Sequence, residues 1–170
     1  MGMIKRTFTY MDKTMLVQLY KVFVRPHLEY CQQACSPYLM KGQTKLEQVQ
    51  RRATKLVKSL EELPYEQRLK ELNLYSLQDR RTRGDLILMY RIMTKDIGIT
   101  STDIFKLKTS VTRGHSLAVQ YRKINTLDIR QNFFTERVIK PWNNLPQEIV
   151  SSPNIKMFKK SYDKWRGLVV

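Results

Sequence analysis

Several residue types are too scarce here to support common protein classes. Only 2 cysteines occur in 170 residues, too few for the disulfide framework of a small secreted domain. The opening stretch MGMIKRTFTYMDK has no apolar core of a secretory signal, so the expected setting is intracellular, nucleus or cytoplasm. Glycine and proline number 6 each, which excludes collagen-like and low-complexity chains. No apolar run approaches the roughly 18 residues needed to span a bilayer, and no membrane partner is expected. Acids are scarce as well: 15 Asp plus Glu stand against 31 Lys plus Arg, a formal net charge of +16. What is present is apolar surface. At 42% hydrophobic residues the chain can offset its conformational entropy by burial, as one ordinary domain or one domain plus a small lobe.

The positive charge is unevenly placed. Residues 1–60 carry 11 bases and 3 acids, 61–110 carry 9 and 8, and 111–170 carry 11 and 4. Two basic segments, 1–60 and 111–170, thus flank a nearly neutral segment, 61–110, that reads as a helical core. A polyanion is the partner such a balance favours.

Hydrophobic periodicity predicts a mainly α fold, a multi-helix bundle of about six to seven helices. Asp12 is placed to cap a helix whose buried stripe runs Leu16, Tyr20, Phe23, Val24, Leu28, Cys31 and Cys35, with Pro26 kinking or splitting it. Ser36-Pro37 ends that run. A second helix carries Leu46, Val49, Ala53, Leu56 and Leu60 on one face and Arg51, Lys55 and Lys58 on the other. A short helix is expected over Tyr65–Leu72 after Pro64, and Ser76 with Asp79 resembles a capping box. The following helix is apolar almost all round, from Leu86 to Met93, and should sit at the centre of the core. Residues 97–110 read as a loop, and the alternation Leu117, Val119, Tyr121 allows a short β-hairpin near 111–126. A helix capped by Asp128 is expected to bury Ile129, Phe133, Phe134, Val138 and Trp142. Asn143-Asn144-Leu145-Pro146 reads as a turn, and Asn154 caps a last helix with Ile155, Phe158, Tyr162 and Trp165 inward.

No catalytic constellation emerges. The chain has no Asp-Asp pair, no phosphate-binding G-x-x-x-x-G-K-S/T loop, no G-x-G-x-x-G and no G-x-S-x-G elbow. The adjacent Glu61 and Glu62 lie before Pro64 at a helix end and read as solvated. His27, Cys31 and Cys35 recur every four residues on one helical face, but a structural zinc site needs four ligands and the other histidine, His115, is distant. Core packing is the better account of that face, so no metal and no cofactor are expected.

The basic stripes remain. Arg51, Arg52, Lys55 and Lys58, with Lys45 a turn or more earlier, are interrupted only by Glu47. Like charges three or four residues apart on a helix repel by a few tenths of a kcal/mol per pair, a standing cost that an anionic ligand would relieve. Lys156, Lys160 and Lys164 form a second stripe on the last helix, where a plain solvated face is an equally good account. These eight residues are the candidate nucleic-acid contacts. Arg80, Arg81 and Arg83 instead read as intramolecular ion pairs with Asp79 and Asp85.

Three stretches taken together carry a resemblance. They are IKRTF with DKTMLVQLYKVFVRPHLEYCQQACSPY, then KLEQVQRRATKLV, then RGHSL with NFFTERVIKPWNNLP. In this order they resemble the C-terminal part of reverse transcriptases from jockey-like non-LTR retrotransposons, over most of the chain from Ile4 to Trp165. The resemblance implies a non-catalytic fragment of an RNA-directed DNA polymerase. Residues 1–60 would be a thumb-like basic segment gripping template–primer, and 111–170 a basic C-terminal extension. In that family the palm carries the paired aspartates that hold two Mg²⁺ ions, and no such pair occurs here. Arg51, Arg52 and Lys55 match the family's basic thumb helix. The implied partners are RNA, DNA or a hybrid, and the remaining polymerase lobes. The alternatives are a module docking on acidic proteins or on those lobes, or an inert remnant of an element.

Overall fold

A computed structural model describes residues 2–109, 114–121 and 128–167. The fold is mainly α, with helices shorter and more numerous than periodicity alone suggested, and with no strand among the described residues. The chain divides into two units, 1–81 and 82–170, and the helix Leu77–Met93 contributes residues to both.

In the first unit Asp12 caps the helix Lys13–Leu19, its carboxylate accepting the Met15 N–H at 2.7 Å. The run then widens into a π-turn, Tyr20–Val24, and continues as Arg25–Glu29 with Pro26 in its first turn. The inward stripe is Leu16, Tyr20 and Val24. Phe23 was expected on it but is 55% exposed, because the wider turn carries the inward stripe to Val24. Cys31, also expected inside, is exposed and takes a left-handed backbone (φ 49°) at the start of the next short helix, Gln32–Cys35.

The second predicted helix spans Met40–Thr54 and stops there, with Lys55 as its C-cap; Lys58–Leu60 is a separate 3₁₀ turn. The break at Val57 (ψ 109°) turns Val57 and Leu60 into the core and leaves Leu56 only partly buried. Leu56 therefore does not extend the helical stripe as expected. Tyr65–Glu71 follows, and the unit's core gathers Leu16, Tyr20, Ala53, Val57, Leu60 and Leu69.

In the second unit the apolar helix is central as expected: Leu86, Met89, Tyr90 and Ile92 are buried against Val138, Trp142, Ile149 and Phe158. Residues 97–110, read as a loop, contain the short helix Ser101–Ile104. The alternating segment pairs with its end: Lys108 N–H donates to Ala118 O at 2.9 Å and Gln120 N–H to Lys106 O at 2.8 Å. Thus the partner of Leu117–Tyr121 is 106–108, while residues 110–113 and 122–127 of the expected hairpin region lie outside the described residues. The segment after residue 127 forms three pieces, Asp128–Gln131, Phe134–Arg137 and Ile139–Asn143, in place of one helix. Consequently Ile129 and Phe133 are exposed, where a single amphipathic helix would have hidden them. Trp165 is exposed too, at the end of the Asn154-capped helix Ile155–Trp165.

The GHSL and PWNNLP stretches meet in this unit. Trp142 Nε1 donates to Leu117 O at 2.9 Å, and the Asn143 amide exchanges two bonds of 2.8 Å with the Val119 backbone, standing in for a neighbouring strand. His115 is fully buried and donates from Nε2 to Trp142 O at 2.9 Å, while its Nδ1 has no hydrogen-bond partner among the described residues. Burial holds this imidazole below its ordinary value, Lys108 adds to that, and the Trp142 hydrogen bond opposes it.

Two outcomes follow from this packing. Leu60→Ala should destabilise the chain by about 2–5 kcal/mol and Leu56→Ala by clearly less, measured by urea unfolding. Because the folded state prefers neutral His115, its contribution is present above the ordinary histidine pKa of about 6.5 and lost as pH falls through the lower folded value. Unfolding midpoints between pH 7.5 and 5 should therefore fall more steeply for the wild type than for His115→Gln, which keeps a donor for Trp142 O and cannot take up a proton.

Candidate nucleic-acid interface

The helix Met40–Thr54 owes its orientation to three residues that face inward. Gln50 is buried and its Nε2 donates to Tyr75 O at 2.8 Å; Ala53 is 1% exposed, small enough for the helix to lie close against its neighbours. Glu47 accepts the Leu77 N–H on Oε2 at 3.1 Å and the Tyr65 hydroxyl on Oε1. Its carboxylate thus satisfies an orphan amide at the start of the helix Leu77–Met93, where negative charge is favoured. Burial, followed by the bond and charge of Glu47, drives the Tyr65 phenol well above its ordinary value, so the hydroxyl stays a donor.

With those residues turned inward, the cations turn outward. Lys45, Arg51, Arg52, Lys55 and Lys58 are all exposed, and none forms an ion pair with a carboxylate among the described residues. Lys58 is displaced from the expected helical row, because the helix ends before it. At 100° per residue, Lys41, Lys45, Gln48, Arg52 and Lys55 fall within an arc of about 80°. All five are exposed. Lys41 belongs to this row and was not among the sequence candidates, since the helix begins at Met40, a turn and a half before the first expected apolar position. Part of the row has a local role, because bases in a last helical turn complement the macrodipole.

Arg51 departs from the row in function. Its guanidinium carbon lies 4.6 Å from the centroid of the Tyr65 ring, over which Arg68 also sits at 5.8 Å. It is therefore partly a packing residue, although the helical spacing places it on the face opposite the apolar stripe. Arg68, which the periodicity did not single out, is 4% exposed.

The second stripe holds as predicted in exposure: Lys156, Lys160 and Lys164 are all exposed on Ile155–Trp165. None is ion-paired among the described residues, whereas Asp163 on the same helix is taken by Arg83, with bonds of 2.6 and 2.7 Å. Arg80 and Arg83, expected to pair with Asp79 and Asp85, form ion pairs with carboxylates distant in sequence. Arg80 holds Glu29, and Arg137 holds Asp85 at 2.8 and 3.0 Å. Asp79 instead exchanges bonds with Ser76, whose Oγ accepts the Asp79 N–H at 3.0 Å. These long-range partners, 51 and 52 residues apart, could not be found from helical spacing.

Among the described residues no group of three or more His, Cys, Asp or Glu is placed to hold a metal ion, and no helix is long and apolar enough to cross a membrane.

The two outward arginines should be separable. Arg52→Glu with Lys55→Glu should leave the melting temperature within a few degrees of wild type. Arg51→Glu should lower stability by about 1 kcal/mol, through loss of the cation–π contact and repulsion from Glu47, as read by thermal or urea unfolding.

No family model, no curated protein and no solved structure matches this chain.

Proposed function

We propose that this chain binds the sugar–phosphate backbone of RNA, DNA or a hybrid without sequence preference, as the non-catalytic C-terminal portion of a retroelement RNA-directed DNA polymerase, acting in the nucleus or cytoplasm. The observation that carries the binding half of this reading is a contrast among the cations. Arg80, Arg83 and Arg137 are held by carboxylates within the fold, whereas Lys45, Arg52, Lys55 and Lys58 are left exposed and without one among the described residues. The one acid on the basic helix, Glu47, is engaged by Tyr65 and Leu77 and leaves its row uncompensated. Such a row gains free energy from phosphate by releasing condensed counterions. It carries no device for reading bases, so contacts there position a strand and do not select its sequence. The polymerase half rests on the resemblance of the IKRTF, RPHLEY, QRRA and PWNNLP stretches.

A protein-docking role for the same row predicts a different salt response, which makes a titration decisive. Binding to a generic duplex should fall with salt at a log–log slope of several units, about −0.9 per phosphate contacted on B-DNA. Arg52→Glu with Lys55→Glu should reduce that slope by about two units and weaken binding uniformly across sequences. Absence of binding at low salt would exclude the proposal.

A further inference from the structure

We infer that a cleft beside the last turn of the Met40–Thr54 helix is a site for a phosphomonoester dianion, the group borne by a 5′-phosphorylated strand end or by a free mononucleotide. The inference shares Arg51, Arg52 and Lys55 with the backbone-binding reading and deepens it. The cleft has a volume of about 620 Å³ and is lined by those three residues, by Arg68 and Tyr65, and by Glu61 and Glu62. That volume lies within the usual range for small-ligand sites, roughly 300–1,000 Å³, so a nucleotide-sized group can enter.

Arg68 is the feature that a plain basic surface does not explain. It is buried, yet no carboxylate pairs with it among the described residues. Its Nη1 donates to the Glu61 carbonyl at 3.3 Å, and its Nε has no hydrogen-bond partner among the described residues. A guanidinium presents five donors in a rigid fork, and burying one with so few acceptors is costly. A phosphate oxygen brought into the cleft would add an acceptor to the single one this guanidinium has. The Tyr65 ring holds Arg51 and Arg68 on the cleft wall at 4.6 and 5.8 Å, so two forks are positioned before any ligand arrives.

The charge selects the monoester. Four cations and two carboxylates line the cleft, a formal excess of +2. A phosphodiester brings one negative charge and two free oxygens; a terminal monoester brings up to two charges and three. A strand end can also reach a buried arginine end-on, whereas an internal phosphate is flanked on both sides by sugars. Glu61 and Glu62 are exposed and oppose the anion, and this makes them a test.

The experiment uses the full chain with two 3′-labelled oligothymidylates that differ only in a 5′-phosphate or a 5′-hydroxyl. Fluorescence polarisation should give about tenfold tighter binding for the phosphorylated strand. Glu61→Gln with Glu62→Gln should widen that ratio, and Arg68→Gln should collapse it towards one without weakening the hydroxyl strand to the same degree. If Arg68→Gln fails to fold, the carboxylate double variant alone decides. Millimolar AMP or inorganic phosphate identifies the source: a raised melting temperature and loss of the 5′-phosphate preference by competition assign free phosphomonoester as a ligand, and no effect beside a retained preference assigns the strand end. Equal binding of both strands by wild type and by the double variant, with no melting shift from AMP or phosphate, overturns the inference. Equal binding with a steep salt slope would do so while sparing the backbone reading. A melting shift from AMP or phosphate with no oligonucleotide binding would support the cleft and sink that reading.

Discussion

Glu47 ties the first unit together through two bonds of different kinds. One oxygen takes the Tyr65 hydroxyl, and the other takes the Leu77 amide at the head of the helix Leu77–Met93. Both partners lie far along the chain, 18 and 30 residues away, so a single side chain sets where the basic helix lies against two later segments. Gln50, one turn on, adds its bond to Tyr75 O and fixes the same face. Once these polar anchors and Ala53 are inward, helical geometry leaves Arg52 and Lys55 no alternative to facing water. The basic surface is thus a consequence of how the opposite face is satisfied.

The same economy explains why the chain's arginines divide into two populations. Those near the start of the Leu77–Met93 helix find carboxylates: Arg80 with Glu29 in the first unit, Arg83 with Asp163 in the second. These are partly buried pairs, in which removing one partner would strand a charge. The acids of the chain are few, 15 in all, and structural pairs use several of them. What remains on the helix Met40–Thr54 is a row of one sign. Repulsion along such a row is small per pair, and the fold tolerates it because the buried face carries the stability.

Much of the local structure was legible. The Asp12 and Asn154 caps, the Ser76–Asp79 exchange and the apolar helix at Leu86–Met93 each depend on a few adjacent residues, and each is found where the pattern put it. The errors share a cause. A helix was extended through Leu56, through Phe23 and through Phe133 because apolar residues recurred at helical spacing, yet the backbone breaks or widens at all three. Periodicity counts residues and cannot register a π-turn or a one-residue extended link, either of which rotates every later side chain. The site was legible in part for the same reason. Exposed cations were identified because they lie opposite leucines, whereas Arg68 was not, since its burial depends on how its helix packs within the unit.

By itself the sequence determined the helical class, the caps, the charge excess and the run of cations in residues 40–58 broken only by Glu47, because these follow from composition and from neighbours three or four positions apart. The tertiary structure alone decided which carboxylate each arginine meets, that Asn143 would pair with Val119 as a strand does, that His115 would be sealed against Trp142, and that Arg51 and Arg68 would share one aromatic ring. Apart from that of Arg68 with Tyr65 one turn away, those contacts join residues 14 to 80 positions apart. Their partners are chosen by which faces the packed core leaves adjacent, and no local pattern encodes that choice.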